Sequence, residues 1–204
     1  MWDVDKMKIR WTNQAEEAQT EVFFEKGTAT PENFRRLGKK RGGDCRIAVK
    51  REGCDGITFA QRMGARTVID LATLTYSAQS ALGDQVVALF GNDREALRSW
   101  EETAEQTGEY YWQLPMGPIY HRMIEWSICA DFANYAPGRG AGASVAACFL
   151  ENFVEDGTQW IHLDMVGPSV VRKETDEMAE GASGACMSTL AAYLTGTSFR
   201  KSLY

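Results

Sequence analysis

No stretch of the 204-residue chain approaches the roughly 18 to 20 consecutive apolar residues that a membrane span requires, so the chain is expected to be soluble, with no membrane partner. Histidine is scarce, with His121 and His162 only, and neither belongs to an HExxH pair or to a His/Cys grouping with zinc spacing. A GxSxG elbow is also missing, which leaves serine hydrolysis without its nucleophile turn. The five cysteines, Cys45, Cys54, Cys129, Cys148 and Cys186, are odd in number and form no CxxC pair. A disulfide framework is therefore not expected, and free thiols in a reducing compartment are. The N-terminal MWDVDKMKIRW has neither the apolar core of a secretory signal nor the acid-free character of a transit peptide. Cytoplasm or mitochondrial matrix is the expected location, not the outside of the cell.

The length suits one well-buried domain, and the 44% hydrophobic content is ordinary for a globular protein. Within an overall charge of −6, Arg35, Arg36, Lys39, Lys40 and Arg41 make a local basic cluster. It reads as a solvated, flexible loop through Asp44, with contact to RNA phosphate or an acidic protein as the other use of such a run. Residues 1–45 are polar and weakly patterned, with a helix expected around Asn13 to Thr20 and a short strand at Val22-Phe23-Phe24. The remainder, 46–204, is expected to be an α/β domain in a single folding unit.

The most informative stretch runs from Ala65 to Leu82, ARTVIDLATLTYSAQSAL. Val68 to Leu74 does not alternate as a half-exposed strand would, so it is expected as a central strand covered on both faces. Thr73, Leu74, Thr75 and Tyr76 then fall at its carboxyl end, where ligand crevices form in open α/β sheets. A helix closed by Gly64 precedes it, from Ile57 to Met63. Further strands are expected at Val86 to Phe90 and at Trp160 to Val166. Helices are expected at Arg94 to Thr107, from Ile119 to Ala130, at Ala143 to Val154 and at Gly181 to Leu194. Ile119, Met123, Trp126 and Ala130 read as core. Gly138 to Ser144 lacks the lysine of a phosphate loop, so tight helix packing explains its small residues better than phosphate binding. Asp70 and Asp164 interrupt apolar strands and must be hydrogen-bonded, paired or bound to metal; structural hydrogen bonding is the expectation.

Five ordered blocks, VIDLATLT, WQLPM, CADFANYAPGRGAGASVAACFLENFV, WIHLDMVGPS and EGASGACMSTLAAYL, resemble the C-terminal catalytic domain of the leucyl aminopeptidase (cytosol aminopeptidase) family of two-metal peptidases. The resemblance covers about Ile57 to Leu194. It implies a central, mostly parallel mixed sheet flanked by helices on both faces, an aminopeptidase/phosphorylase-like three-layer sandwich, here lacking part of the family domain. It also implies packing within a hexamer.

The family's catalytic motifs resemble nothing intact in this chain. The chain is expected to start after the KGxTFDSGG-like segment. Met7 to Arg10 laid on the MKxDMxGAA-like segment puts Arg10 where a metal-binding aspartate belongs. The NTDAEGR-like segment has no room between Cys45 and Gly53, and Glu52 is its only trace. Where the family usually has LTGA against its substrate pocket, this chain has Leu74-Thr75-Tyr76-Ser77. The resemblance thus implies a degenerate metal site at Arg10 and Glu52, and a vestigial pocket edge at Thr73 to Tyr76. The expected function is a catalytically inactive structural or interaction subunit of a homo- or hetero-oligomer or larger complex, with no cofactor. The alternative is a metal-dependent aminopeptidase with zinc or manganese in a rearranged or subunit-completed site, drawing on Asp3, Asp5, Glu32, Asp44, Glu52 or Asp55.

Overall fold

The computed structural model describes residues 21–24, 39–40, 43–49, 53–127, 130–136, 138, 140–174 and 178–196. The helix expected at Asn13 to Thr20, the side chains of Arg10, Arg35, Arg36, Arg41 and Glu52, and the alternative ligands Asp3, Asp5 and Glu32 lie outside them. Strands β1 (Glu21–Phe24), β2 (Lys39–Lys40), β3 (Gly43–Val49), β4 (Thr67–Ala72), β5 (Val86–Gly91), β6 (Tyr110–Gln113) and β7 (Gln159–Asp164) form one seven-stranded sheet. Its order is β1-β3-β4-β7-β5-β6, with β2 beside β3. β4 is central, as a largely apolar run without alternation requires, and pairs in parallel with β3 on one side and β7 on the other. β5 runs antiparallel to β7, which makes the sheet mixed.

Alternation along the buried strands divides the core into two layers. Ile69, Leu71, Val87, Leu89, Ile161 and Leu163 face α3 (Arg94–Thr107) and α6 (Met187–Thr195), meeting Leu97, Trp100 and Leu190. Val68, Ala88, Phe90 and Trp160 face α1 (Gly53–Arg62), α2 (Tyr76–Leu82) and α5 (Gly142–Glu151), meeting Ile57, Ala60, Ala78, Ala147 and Leu150. This is the expected three-layer α/β sandwich. α3 begins and ends where its local signals place it. The Asp93 carboxylate accepts from Ala96 N–H at 2.9 Å, and Gly108, at φ 80°, closes the helix.

Three expectations are corrected. Lys39-Lys40 is not loop but β2, a short antiparallel partner of Gly43-Asp44. Two residues containing a glycine between paired strands are a hairpin signal that outweighs the charge of the run. β1 pairs with β3, which spans residue 45, so strand pairing joins the N-terminal segment to the sheet. The helix expected from Ile119 to Ala130 is confined to α4 (Pro118–His121). Beyond it the Ile124 carbonyl accepts from Ala133 N–H at 2.7 Å, so the chain has folded back where a helix would continue. Ile124 is buried, whereas Ile119 and Trp126 are 60% and 54% exposed. The helix expected from Gly181 starts instead at Met187. Gly181-Ala182 is strand β9, antiparallel to β8 (Val170–Val171), and the positive φ of Gly181 and Gly184 is incompatible with a helix. No helix among the described residues is long and apolar enough to cross a membrane.

Candidate functional site at the carboxyl edge of the central strand

β4 and β7 end side by side, and Met165 N–H donates to the Ala72 carbonyl at 2.8 Å just past their last paired residues. The turn after β4 is built on Asp164, the last residue of β7, which is 1% exposed. Its Oδ1 accepts from Leu74 N–H at 2.9 Å, and its Oδ2 accepts from Thr75 N–H at 3.0 Å and from the Thr75 hydroxyl at 2.7 Å. Thr75 Oγ1 in turn accepts from Ala78 N–H at 3.1 Å and caps α2. Both oxygens of the carboxylate are thereby committed to holding a turn, as expected for a structural aspartate.

Thr73, Leu74, Thr75 and Tyr76 are brought together on this edge, and Tyr76 projects outward, 79% exposed. Ser77 packs so closely against Gly142, at the start of α5, that any Cβ on that glycine would collide with the Ser77 hydroxyl. Gly142 serves close helix packing, as the sequence suggests, whereas Gly138 and Gly140 take positive φ with open space where a Cβ would stand.

Asp70, the other aspartate of the buried strands, is 3% exposed and sits directly beside His162 in the β4–β7 register. It accepts from Trp160 Nε1 at 2.7 Å and pairs with His162 Nδ1 at 2.6 Å. The imidazole stacks between Phe90 and Trp160. Burial alone disfavours the charged ring, but the Asp70 carboxylate, by its charge and its hydrogen bond, with Asp164 adding to it, raises His162 above its ordinary value. This pair cross-links two central strands, sealed from solvent and unable to reach a substrate.

Two buried thiols are also unsuited to nucleophilic work. Burial pushes Cys186 up to about 12 and raises Cys148 above the usual thiol value, so both remain neutral thiols near pH 7. A different grouping was not legible from spacing: His121, Cys148 and Glu151 place their donor atoms within 4.8 Å of one another. The Cys-x-x-Glu step on α5 was its one signal, because residues three apart share a helix face. No other cluster of three His, Cys, Asp or Glu ligands occurs among the described residues.

The family model for the cytosol aminopeptidase family, catalytic domain, matches residues 54–191. A probable cytosol aminopeptidase of Acidobacterium capsulatum is 40% identical over 136 residues, covering 67% of this chain and 26% of that relative. One from Alkaliphilus metalliredigens is 38% identical and is covered to 27% of its length. Among solved structures, a tomato leucine aminopeptidase mutant superposes with a TM-score of 0.62 at 36% identity, over 71% of this chain and 27% of that one. The bottromycin maturation enzyme BotP in complex with Mn superposes with a TM-score of 0.66 at 32% identity, over 70% of this chain and 32% of that one. The chain spans about a quarter of the length of the curated relatives it matches. Sequence and superposition agree, and the chain belongs to the cytosol aminopeptidase family.

Proposed function

We propose that this chain is a catalytically inactive member of its family, working as a structural or interaction subunit of a larger assembly. The observation that carries the reading is the connection from β3 to α1. Only residues 50–52 lie in sequence between the end of β3, a parallel neighbour of β4, and the start of α1. Lys50-Arg51-Glu52 offers one carboxylate and two cations where the family resemblance implies a ligand-bearing segment. Two divalent ions a few ångströms apart need several anionic oxygens and an oriented outer shell. Nearby Asp164 has both oxygens engaged in the turn. Arg10 in place of an aspartate and Tyr76 at the old pocket mouth point the same way.

Partner binding is supported by the sheet edge. β6 is an edge strand that carries Tyr110 and Trp112, 66% and 65% exposed, and such edges are normally covered. We read the partners as other protein subunits in the cytoplasm or mitochondrial matrix, with RNA contact through Arg35 to Arg41 as an adjunct. Salt-sensitive RNA binding that survives charge reversal of that cluster would remove the adjunct.

The names of the relatives, probable cytosol aminopeptidases, favour a second reading, an aminopeptidase, which in this chain would need a rearranged or subunit-completed metal site. Hydrolysis of a leucyl-anilide substrate with zinc or manganese supplied separates the two. No turnover above the metal-only background is expected, and turnover that co-purifies with the chain would overturn the inactive reading.

A further inference from the structure

His121, at the end of α4, meets Cys148 and Glu151 on one face of α5, roughly two turns along that helix from the Gly142 contact with Ser77. His121 Nε2 lies 2.8 Å from Glu151 Oε2, and one donor atom from each of His121, Cys148 and Glu151 lies within 4.8 Å of the other two. We propose that these three side chains form a zinc site, distinct from the family's peptidase chemistry.

The donor set selects the metal. A thiolate, an imidazole nitrogen and a carboxylate oxygen suit zinc and its borderline neighbours, whereas magnesium and calcium demand oxygen alone. Thiolate and carboxylate together balance the charge of a divalent ion, so a neutral centre forms at the fully buried Cys148. Tetrahedral zinc holds such ligand atoms roughly 3.3 to 3.6 Å apart. The imidazole and carboxylate need only part slightly from their present hydrogen bond while the sulfur closes in. His121 presents Nε2 to the metal as the Nδ1–H tautomer, and the Cys148 proton leaves to solvent as the Zn–S bond forms. The fourth position opens outward, because the His121 and Glu151 side chains are 29% and 30% exposed.

The place explains the use. Between β6 and α5 the described chain has only the short α4, and Ile124 and Ala136, with Tyr120 and Met123, pack in a small core against Val145 and Phe149 of α5. A metal bridging His121 to Cys148 would clip this segment to the sandwich and add its binding free energy to folding.

The test uses the full chain, stripped with chelator and titrated with Zn²⁺, and with Co²⁺ as a spectroscopic probe. Stoichiometric binding is expected, with a sulfur-to-cobalt charge-transfer band and a melting temperature raised by zinc. The band should vanish in Cys148→Ser and persist in Cys54→Ser. Should Cys148→Ser fail to fold, His121→Ala, at a half-buried position, should still abolish stoichiometric binding and the thermal shift while far-UV dichroism is unchanged. Absence of binding, or binding and a band that survive these changes, overturns the site. Peptidase turnover is a separate readout: bound zinc without turnover fits both proposals, and Cys148-independent zinc with turnover would defeat both.

Discussion

Replacing Asp70 by asparagine tests the buried cross-link between β4 and β7. The carboxylate serves two buried donors, Trp160 Nε1 at 2.7 Å and His162 Nδ1 at 2.6 Å. Asparagine keeps one acceptor oxygen and turns an NH₂ toward the other donor, so one buried N–H loses its partner and the ring loses its counter-charge. A stranded buried donor costs about 1–3 kcal/mol, and removing one member of a buried ion pair about 3–5 kcal/mol. A loss of about 3 kcal/mol is expected for Asp70→Asn near pH 5.5. His162 is raised in the folded state, so its contribution is fully present below the ordinary imidazole value and is lost as pH rises through the folded value. The asparagine variant should therefore lose less at about pH 9 than at about pH 5.5. His162 Nε2 has no hydrogen-bond partner among the described residues, which sets a cost against the charged ring. Urea unfolding of both proteins at both pH values, followed by tryptophan fluorescence, measures the difference. A loss below about 1 kcal/mol throughout, or one that grows toward alkaline pH, refutes the reasoning.

Gly91→Ala should cost about 2–3 kcal/mol, because a Cβ there meets the Trp160 carbonyl and lies 3.0 Å from Leu97 Cδ2; chemical denaturation reads it directly. Asp93→Ala removes the α3 cap and should cost about 1 kcal/mol by the same assay. The Asp93 carboxyl is held below its ordinary value, chiefly by its hydrogen bond from Ala96 N–H, so the cap is present above the usual carboxylate range and fades as pH falls through the folded value. On the inactive reading proposed above, Tyr76→Gly should produce no leucyl-anilide turnover, because the change adds no metal ligand; turnover gained by this variant would count against that reading.

How much of this was legible follows from how local each cause is. α3 is legible to its ends because Asp93 and Gly108 are its own start and stop signals. β4 declares itself by an apolar run with no polar face. The pairing of Asp70 with His162 lay within reach, since both break apolar strands at positions of the same parity, but the register that sets them side by side is non-local. The reversal of β5 against β7 is non-local too. Ile119 and Trp126 misled because helical spacing cannot register a chain that turns back at Ile124. His121 and Cys148 meet only once α4 docks on α5, and nothing in their spacing records that.

The brevity of the link between β3 and α1 also bears on how the sheet assembles. Cys45 pairs with Thr67 through a short crossover, whereas Thr67 and Gln159 are 92 residues apart. Loop-closure entropy rises only slowly with length, about 0.6 kcal/mol for each doubling, yet the most local pairing still has the advantage. The β3–α1–β4 unit is thus positioned to close first and to offer β4 as the template on which β7, and through it β5 and β6, can add. A connection this short is, for the folding chain, the quickest route to its central strand.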